Sequence, residues 1–185
     1  QQFASMGDVF TKMSDRTGAS VEALSELAYA AEQSGASVET LEKGMRKAQQ
    51  NITDAANGGK TAQAALAAIG LQAKDLANLS PDQQFKLIAE GIARITDPAK
   101  RTTAAMDLLG RSGAELLPMM RGGAKGIEEL QAQARDLGLT MRGEDAQAAT
   151  LLGDTMDDLW KVVRMGVFTV GSALAPLLTS LVKEI

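Results

Sequence analysis

Three sets of residues in this sequence have the types that catalysis or ligand binding requires. Adjacent carboxylates occur at Glu128/Glu129, Glu144/Asp145 and Asp157/Asp158, and a pair of carboxyl groups is what glycoside hydrolysis uses as acid and base. Neighbours in sequence on a helix point in different directions, however, and negative charge in a first helical turn is favoured by the helix dipole. These pairs therefore read as solvated helix surface. The stretch Asp54 to Thr61 (DAANGGKT) ends like a phosphate-binding loop. Asp54 stands where that loop needs its first glycine, a helix and not a strand precedes it, and the carboxylate would repel a phosphate. It reads as a linker between helices. Gly110-Arg111-Ser112-Gly113 has the outline of a nucleophile elbow, but the chain has no histidine to take the serine proton. Ser112 is read as a helix cap.

The full composition narrows the chemistry further. The 185 residues include no cysteine and no histidine, which excludes disulfides, zinc fingers, thiolate nucleophiles and imidazole acid–base catalysis. No cofactor or metal is expected. A net charge of -4 argues against non-specific binding to nucleic acid or anionic lipid. The nearest candidate for specific DNA reading is a helix-turn-helix over Leu27 to Met45, with Ala31, Gly35 and Leu41 at the small, turn and apolar positions. Its second helix opens with Glu39 and Glu42 where phosphates would lie, and offers only Lys43, Arg46 and Lys47. No sequence-specific nucleic acid partner is expected; a DNA-binding regulator is kept as a remote alternative.

Positioning elements are read from punctuation. Only 3% of the residues are aromatic and 45% are hydrophobic, with Ala, Leu, Met, Glu, Gln and Lys prominent, a helix-forming mixture that makes poor sheets. Glycine closes one helix and Ser, Thr or Asp opens the next. Helices are predicted from Phe3 to Gly18, from the cap Ser20 to Gly35, and from Ser37 to Asn57. A short one follows from Thr61 to Ile69, then a single turn near Lys74. Ser80-Pro81-Asp82-Gln83 combines a capping box with proline at the first helical position, and Asp97-Pro98 repeats the start. Ser112 opens a short helix that Pro118 should shorten or kink. A last one carries Ile127, Leu130, Ala134 and Leu137 up to Gly138. The phrase TGASVEAL (Thr17 to Leu24) returns as SGASVETL (Ser34 to Leu41), one helix-break solution used twice. The expected fold is all-α, a compact multi-helix domain of short antiparallel helices over residues 1–142, with a core of Ala, Leu, Met and Val.

From residue 143 to 185 the pattern changes to a long apolar helical segment. Met156, Trp160, Val163, Val167, Val170, Leu174, Leu177 and Leu181 keep spacings of three and four, the requirement for a coiled-coil-like seam, so this is the candidate self-association site. Met165 to Val182 carries no charge and is about the minimum length of a membrane span, which makes membrane insertion through residues 165–182 the alternative. The chain opens on Gln1 and stops inside an apolar pattern at Ile185, and is expected to be a piece of a longer one.

Three phrases taken together resemble a known family. RTGASVEALSELAYAAEQSG (Arg16 to Gly35), LSPDQQFKLIAEGIARITDPAKRTTAAMDLLGRSGAELLPMM (Leu79 to Met120) and GIEELQAQARDLGL (Gly126 to Leu139) are similar, in order and spacing, to tail tape measure proteins of long-tailed bacteriophages and prophages. The likeness covers Met13 to Trp160. It implies a virion structural protein, not an enzyme, that occupies the tail tube lumen, sets tail length and assists genome delivery. The implied partners are further copies of itself, the tail tube protein, tail assembly chaperones and, during infection, the host inner membrane. As one helix, 185 residues would extend about 280 Å, whereas a compact chain of that length has a radius of gyration of about 16 Å. The repeated breaks favour the second, so this portion is expected to be a globular region attached to the rod and not the ruler itself. With few aromatics to bury, its stability is expected at or below the usual range of about 0.05–0.15 kcal/mol per residue, compatible with unfolding to pass a narrow tube.

Overall fold

Short helices need strong ends, and this chain caps the helix starts at Val21, Val38, Ala73, Pro81 and Pro98 with side chains. The computed structural model describes residues 2–148. Among them the chain forms helices α1 (Gln2–Thr17), α2 (Val21–Gln33), α3 (Val38–Ala56), α4 (Lys60–Ala68), α5 (Ala73–Leu76), α6 (Pro81–Ala93), α7 (Pro98–Leu109), α8 (Ser112–Met120) and α9 (Gly123–Asp136). Residues 143–148 are again helical. No strand occurs among the described residues, and the helices pack into a compact all-α assembly.

The two repeated phrases form the same device. Gly18 and Gly35 take left-handed φ of 71° and 84°, and two residues later Ser20 and Ser37 accept the amides of Ala23 and Thr40. Ser80 and Gln83 complete the reciprocal capping box ahead of Pro81, and Asp97 accepts the amides of Ala99 and Lys100 ahead of Pro98. One expected cap is corrected. Ser112 is not the cap of α8: Gly110 turns the chain (φ 66°, ψ -155°) and Arg111 is already helical, so α8 begins at Ser112 itself. Its side chain is buried, against the glycine face of α3.

At the centre of the assembly is α3, which touches α1, α2, α4, α5, α6, α7 and α8. Its inward residues Leu41, Met45, Ala48, Ile52 and Ala55 are all buried, at the spacing read from the sequence. α9 closes the opposite side of α2 and α6 and also meets α8. The core contains Ala, Leu and Met as expected, but Val21 is its only valine among the described residues; Ile52, Ile69, Ile88, Ile92 and Ile127 take that role. Leu137, read with the apolar residues of the last helix, is 63% exposed, and Met6 of α1 is 44% exposed. Leu137 lies just past the end of α9, and Met6 lies on the lining of a surface cleft.

Close approach of helices is achieved with glycine. A Cβ at Gly91 in α6 would lie 2.7 Å from the Ile69 carbonyl oxygen, and one at Gly44 in α3 would collide with Leu116 of α8. Gly126 in α9 has nothing within 4 Å of such an atom. In urea denaturation Gly91→Ala should therefore lower stability by about 1–3 kcal/mol. Gly126→Ala should raise it by about 0.5–1 kcal/mol by relieving the entropic cost of glycine in a helix. Equal effects would contradict this packing.

Candidate functional site

The residues singled out for self-association or membrane contact, Met156, Trp160, Val163, Val167, Val170, Leu174, Leu177 and Leu181, lie outside the described residues, as does the apolar run 165–182. What the structure describes is the junction that leads to them. There the chain leaves α9, turns at Gly138, passes along α2 and re-enters a helix at 143.

Helix α2 builds this junction from three side chains spaced i, i+3, i+4. Glu26 is only 7% exposed. Its Oε2 accepts the Gln131 amide at 3.4 Å and the Arg135 guanidinium at 2.6 Å, and its Oε1 accepts the Thr140 hydroxyl at 3.0 Å. Ser25 donates its hydroxyl to the Glu22 carbonyl and accepts the Met141 amide at 3.0 Å. Glu22 accepts the Gly143 amide at 3.0 Å. Removing the buried Glu26 carboxylate would strand its donors. Glu22, which is less enclosed, has its carboxyl held below its ordinary value first by its own backbone amide and then by that of Gly143.

The same segment is pinned at its other ends. α9 closes with Gly138 at φ 71° and the Leu139 amide returning to the Ala134 carbonyl at 2.9 Å. At its start, Glu90 of α6 accepts the Ala124 amide at 3.1 Å while also pairing with Arg94. Beyond the junction Asp145 reaches back to the Arg142 amide at 3.2 Å, and Ala146 is fully buried in the common core. The start of the exit helix is thus fastened to α2 before the chain leaves the described residues.

The other sequence candidates resolve as follows. Glu128 pairs with Lys86 and Glu129 with Lys125, both carboxylates lying on exposed surface; Asp157/Asp158 lies outside the described residues. At the loop resembling a phosphate site, the amides of Asn57, Gly58 and Gly59 bond to the carbonyls of Thr53, Ala55 and Asp54, so none of these three points toward an anion. The second helix of the candidate DNA-reading pair is α3, the packed centre, with Arg46 turned to Glu42 and Lys47 to Gln50. Among the described residues no group of three His, Cys, Asp or Glu side chains is placed to hold a metal ion, and no helix is long and apolar enough to cross a membrane. A cleft of about 550 Å³ between α3, α4 and α5 is lined largely by alanines, with Lys74 its only charge. A second, of about 440 Å³, opens beside the junction between α1, α2 and residues 138–145.

Sequence reasoning missed Glu22, Ser25 and Glu26. The one hint was that α2 is apolar or small on nearly all its other sides, the mark of a buried helix; the polar stripe itself has the ordinary pattern of a solvated face. No family model, curated protein or solved structure matches the chain.

The lowered pKa of Glu22 gives the junction a defined acid response. A depressed carboxylate contributes stability above its unfolded value of about 4.3, and that contribution is lost as pH falls through the lower folded value. The Gly143 amide resonance in a nitrogen–proton NMR titration should move with a midpoint below that ordinary value, and Glu22→Gln should abolish the movement. A midpoint at or above the ordinary value would contradict the assigned contact.

Proposed function

We propose that this chain is a structural, non-enzymatic helical module of a phage tail tape measure protein. The observation that carries the reading is the ordered likeness of Arg16 to Gly35, Leu79 to Met120 and Gly126 to Leu139 to that family. One of the resembling phrases, Leu79 to Met120, contains two helix starts that the fold uses, the Ser80 capping box and the Asp97-Pro98 restart. In this reading the module sits in the tail and joins the length-setting rod through residues 143–185. Its partners are further copies of the chain through Met156 to Leu181, the tube interior and tail assembly chaperones, with the host inner membrane as the alternative partner of residues 165–182. The central packing of α3 speaks against the DNA-reading alternative, since a recognition helix must present an open face to a groove.

A compact block contributes little to the ruler. If residues 2–148 spanned the tube as one helix, their removal would shorten the tail by about 220 Å at 1.5 Å per residue. Electron microscopy of tails from phage carrying an in-frame deletion of 2–148 should show a shortening far below that figure. Mass spectrometry of purified wild-type tails should find peptides of this chain. A shortening near the full helical length would make this portion the ruler, and absence of the chain from tails would end the tail reading.

A further inference from the structure

The cleft beside the junction is apolar within and acidic at its rim. Phe10, Ala28 and Tyr29 form its floor with Met141, while Met6 at 44% and Leu139 at 50% stand exposed along it. Glu32 and Asp145 supply the charge. At about 440 Å³ it falls in the size range of pockets that hold a large organic group, about 300–1,000 Å³.

The chain itself provides a complementary piece a short distance away. Asp145 lines the cleft, and residues 149–185 continue from the described chain four positions later. Gly153-Asp154-Thr155 repeats the spacing of Gly18-Ala19-Ser20 and Gly35-Ala36-Ser37, the two places where this fold breaks a helix at a left-handed glycine and restarts it at a hydroxyl cap. After that signal come Met156, Trp160 and Val163 at spacings of four and three, with Lys161 and Arg164 beside them. The seven residues 149–155 span at most about 25 Å fully extended, which keeps Met156 to Arg164 within reach of the cleft. An indole is the side chain best suited to such a site, because it buries about 150–250 Å² and carries one polar tip. Lys161 and Arg164 match the acidic rim, and Asp157 and Asp158 are the like charges that must stay off it.

We infer that Met156 to Arg164 folds back onto its own chain and seats Trp160 in the cleft between α1, α2 and residues 138–145. The seat covers the exposed Met6 and Leu139 and leaves the later seam, Val167 to Leu181, for association with a partner. This inference concerns the isolated chain and stands or falls separately from the tail reading.

Trp160 is the only tryptophan, so its fluorescence in the full 185-residue chain reports the seat directly. Emission should lie to the blue of the urea-unfolded chain, resist acrylamide quenching, and stay unchanged on tenfold dilution. Leu139→Glu and Met6→Glu, both at exposed positions that leave helix content intact by circular dichroism, should each shift emission to the red and raise quenching. Because the chain has no cysteine, Leu139→Cys combined with Val163→Cys should give an intramolecular disulfide on mild oxidation. Several results would overturn the inference: emission indifferent to both cleft variants, a blue shift lost on dilution (a second copy occupying the cleft), a blue shift appearing only with added lipid vesicles, or only intermolecular cross-links.

Discussion

Each helix end leaves four carbonyls without an intrahelical partner, and a fold made of many short helices multiplies that burden. In this chain side-chain amides from neighbouring helices meet it. Asn51 of α3 donates to the carbonyls of Asp107 and Leu108 in the last turn of α7, at 2.9 Å each. Gln49 donates to the carbonyl of Thr17 at the end of α1, Gln63 to Ala55 in the last turn of α3, and Gln84 to Leu76 at the end of α5. An amide side chain is suited to this task because its NH₂ offers two donors, and Asn51 uses both. These bonds make the ends of four helices depend on the position of another helix. Local punctuation and tertiary packing are thereby coupled.

The second constraint is distance. Glycines at positions 44 and 91 allow helices to approach until side chains of one rest on the backbone of the other, as a Cβ at either position would collide with Leu116 or with the Ile69 carbonyl. Such contacts are made by small groups with little area each, so the interior is specified more by fit than by bulk. The polar junction follows the same logic. Glu26 is buried because Gln131, Arg135 and Thr140 supply its donors, and their convergence fixes where the chain crosses α2 before the helix at 143 begins. A segment leaving the block therefore leaves it from one place, beside an apolar cleft.

Much of this was legible in the sequence because it is local. The Gly18/Ser20 and Gly35/Ser37 breaks, the Ser80-Pro81 start and the Asp97-Pro98 start depend on residues within a few positions of each other, and their side chains cap as the pattern implies. The buried faces of α3 and α6 follow from helical spacing alone. Ser112 was misread because the choice between cap and first helical residue depends on the backbone of Gly110 and on the fit against Gly44, which is a contact across the fold. Glu22, Ser25 and Glu26 were passed over because i, i+3, i+4 polar residues are the ordinary pattern of a solvated face; only the arrival of α9 and residues 140–143 buries Ser25 and Glu26 and gives Glu22 its partner. The cross-helix amide caps were invisible for the same reason, since an asparagine or glutamine carries no mark of which distant carbonyl it serves. The candidate association residues 156–181, read most directly from spacing, lie outside the described residues.

The account rests on amide donors tying helix ends to neighbouring helices, and Asn51 of α3 is where that claim is most exposed. Asn51→Asp keeps size and shape but, at neutral pH, replaces the two donors with a carboxylate facing two carbonyl oxygens in a buried site. Measured by urea denaturation, this substitution should cost about 3 kcal/mol or more, and part of the loss should return in acid, where the protonated carboxyl can donate one hydrogen bond. A change within about 0.5 kcal/mol, the range of an ordinary surface substitution, would show that α7 does not depend on α3 for its ending.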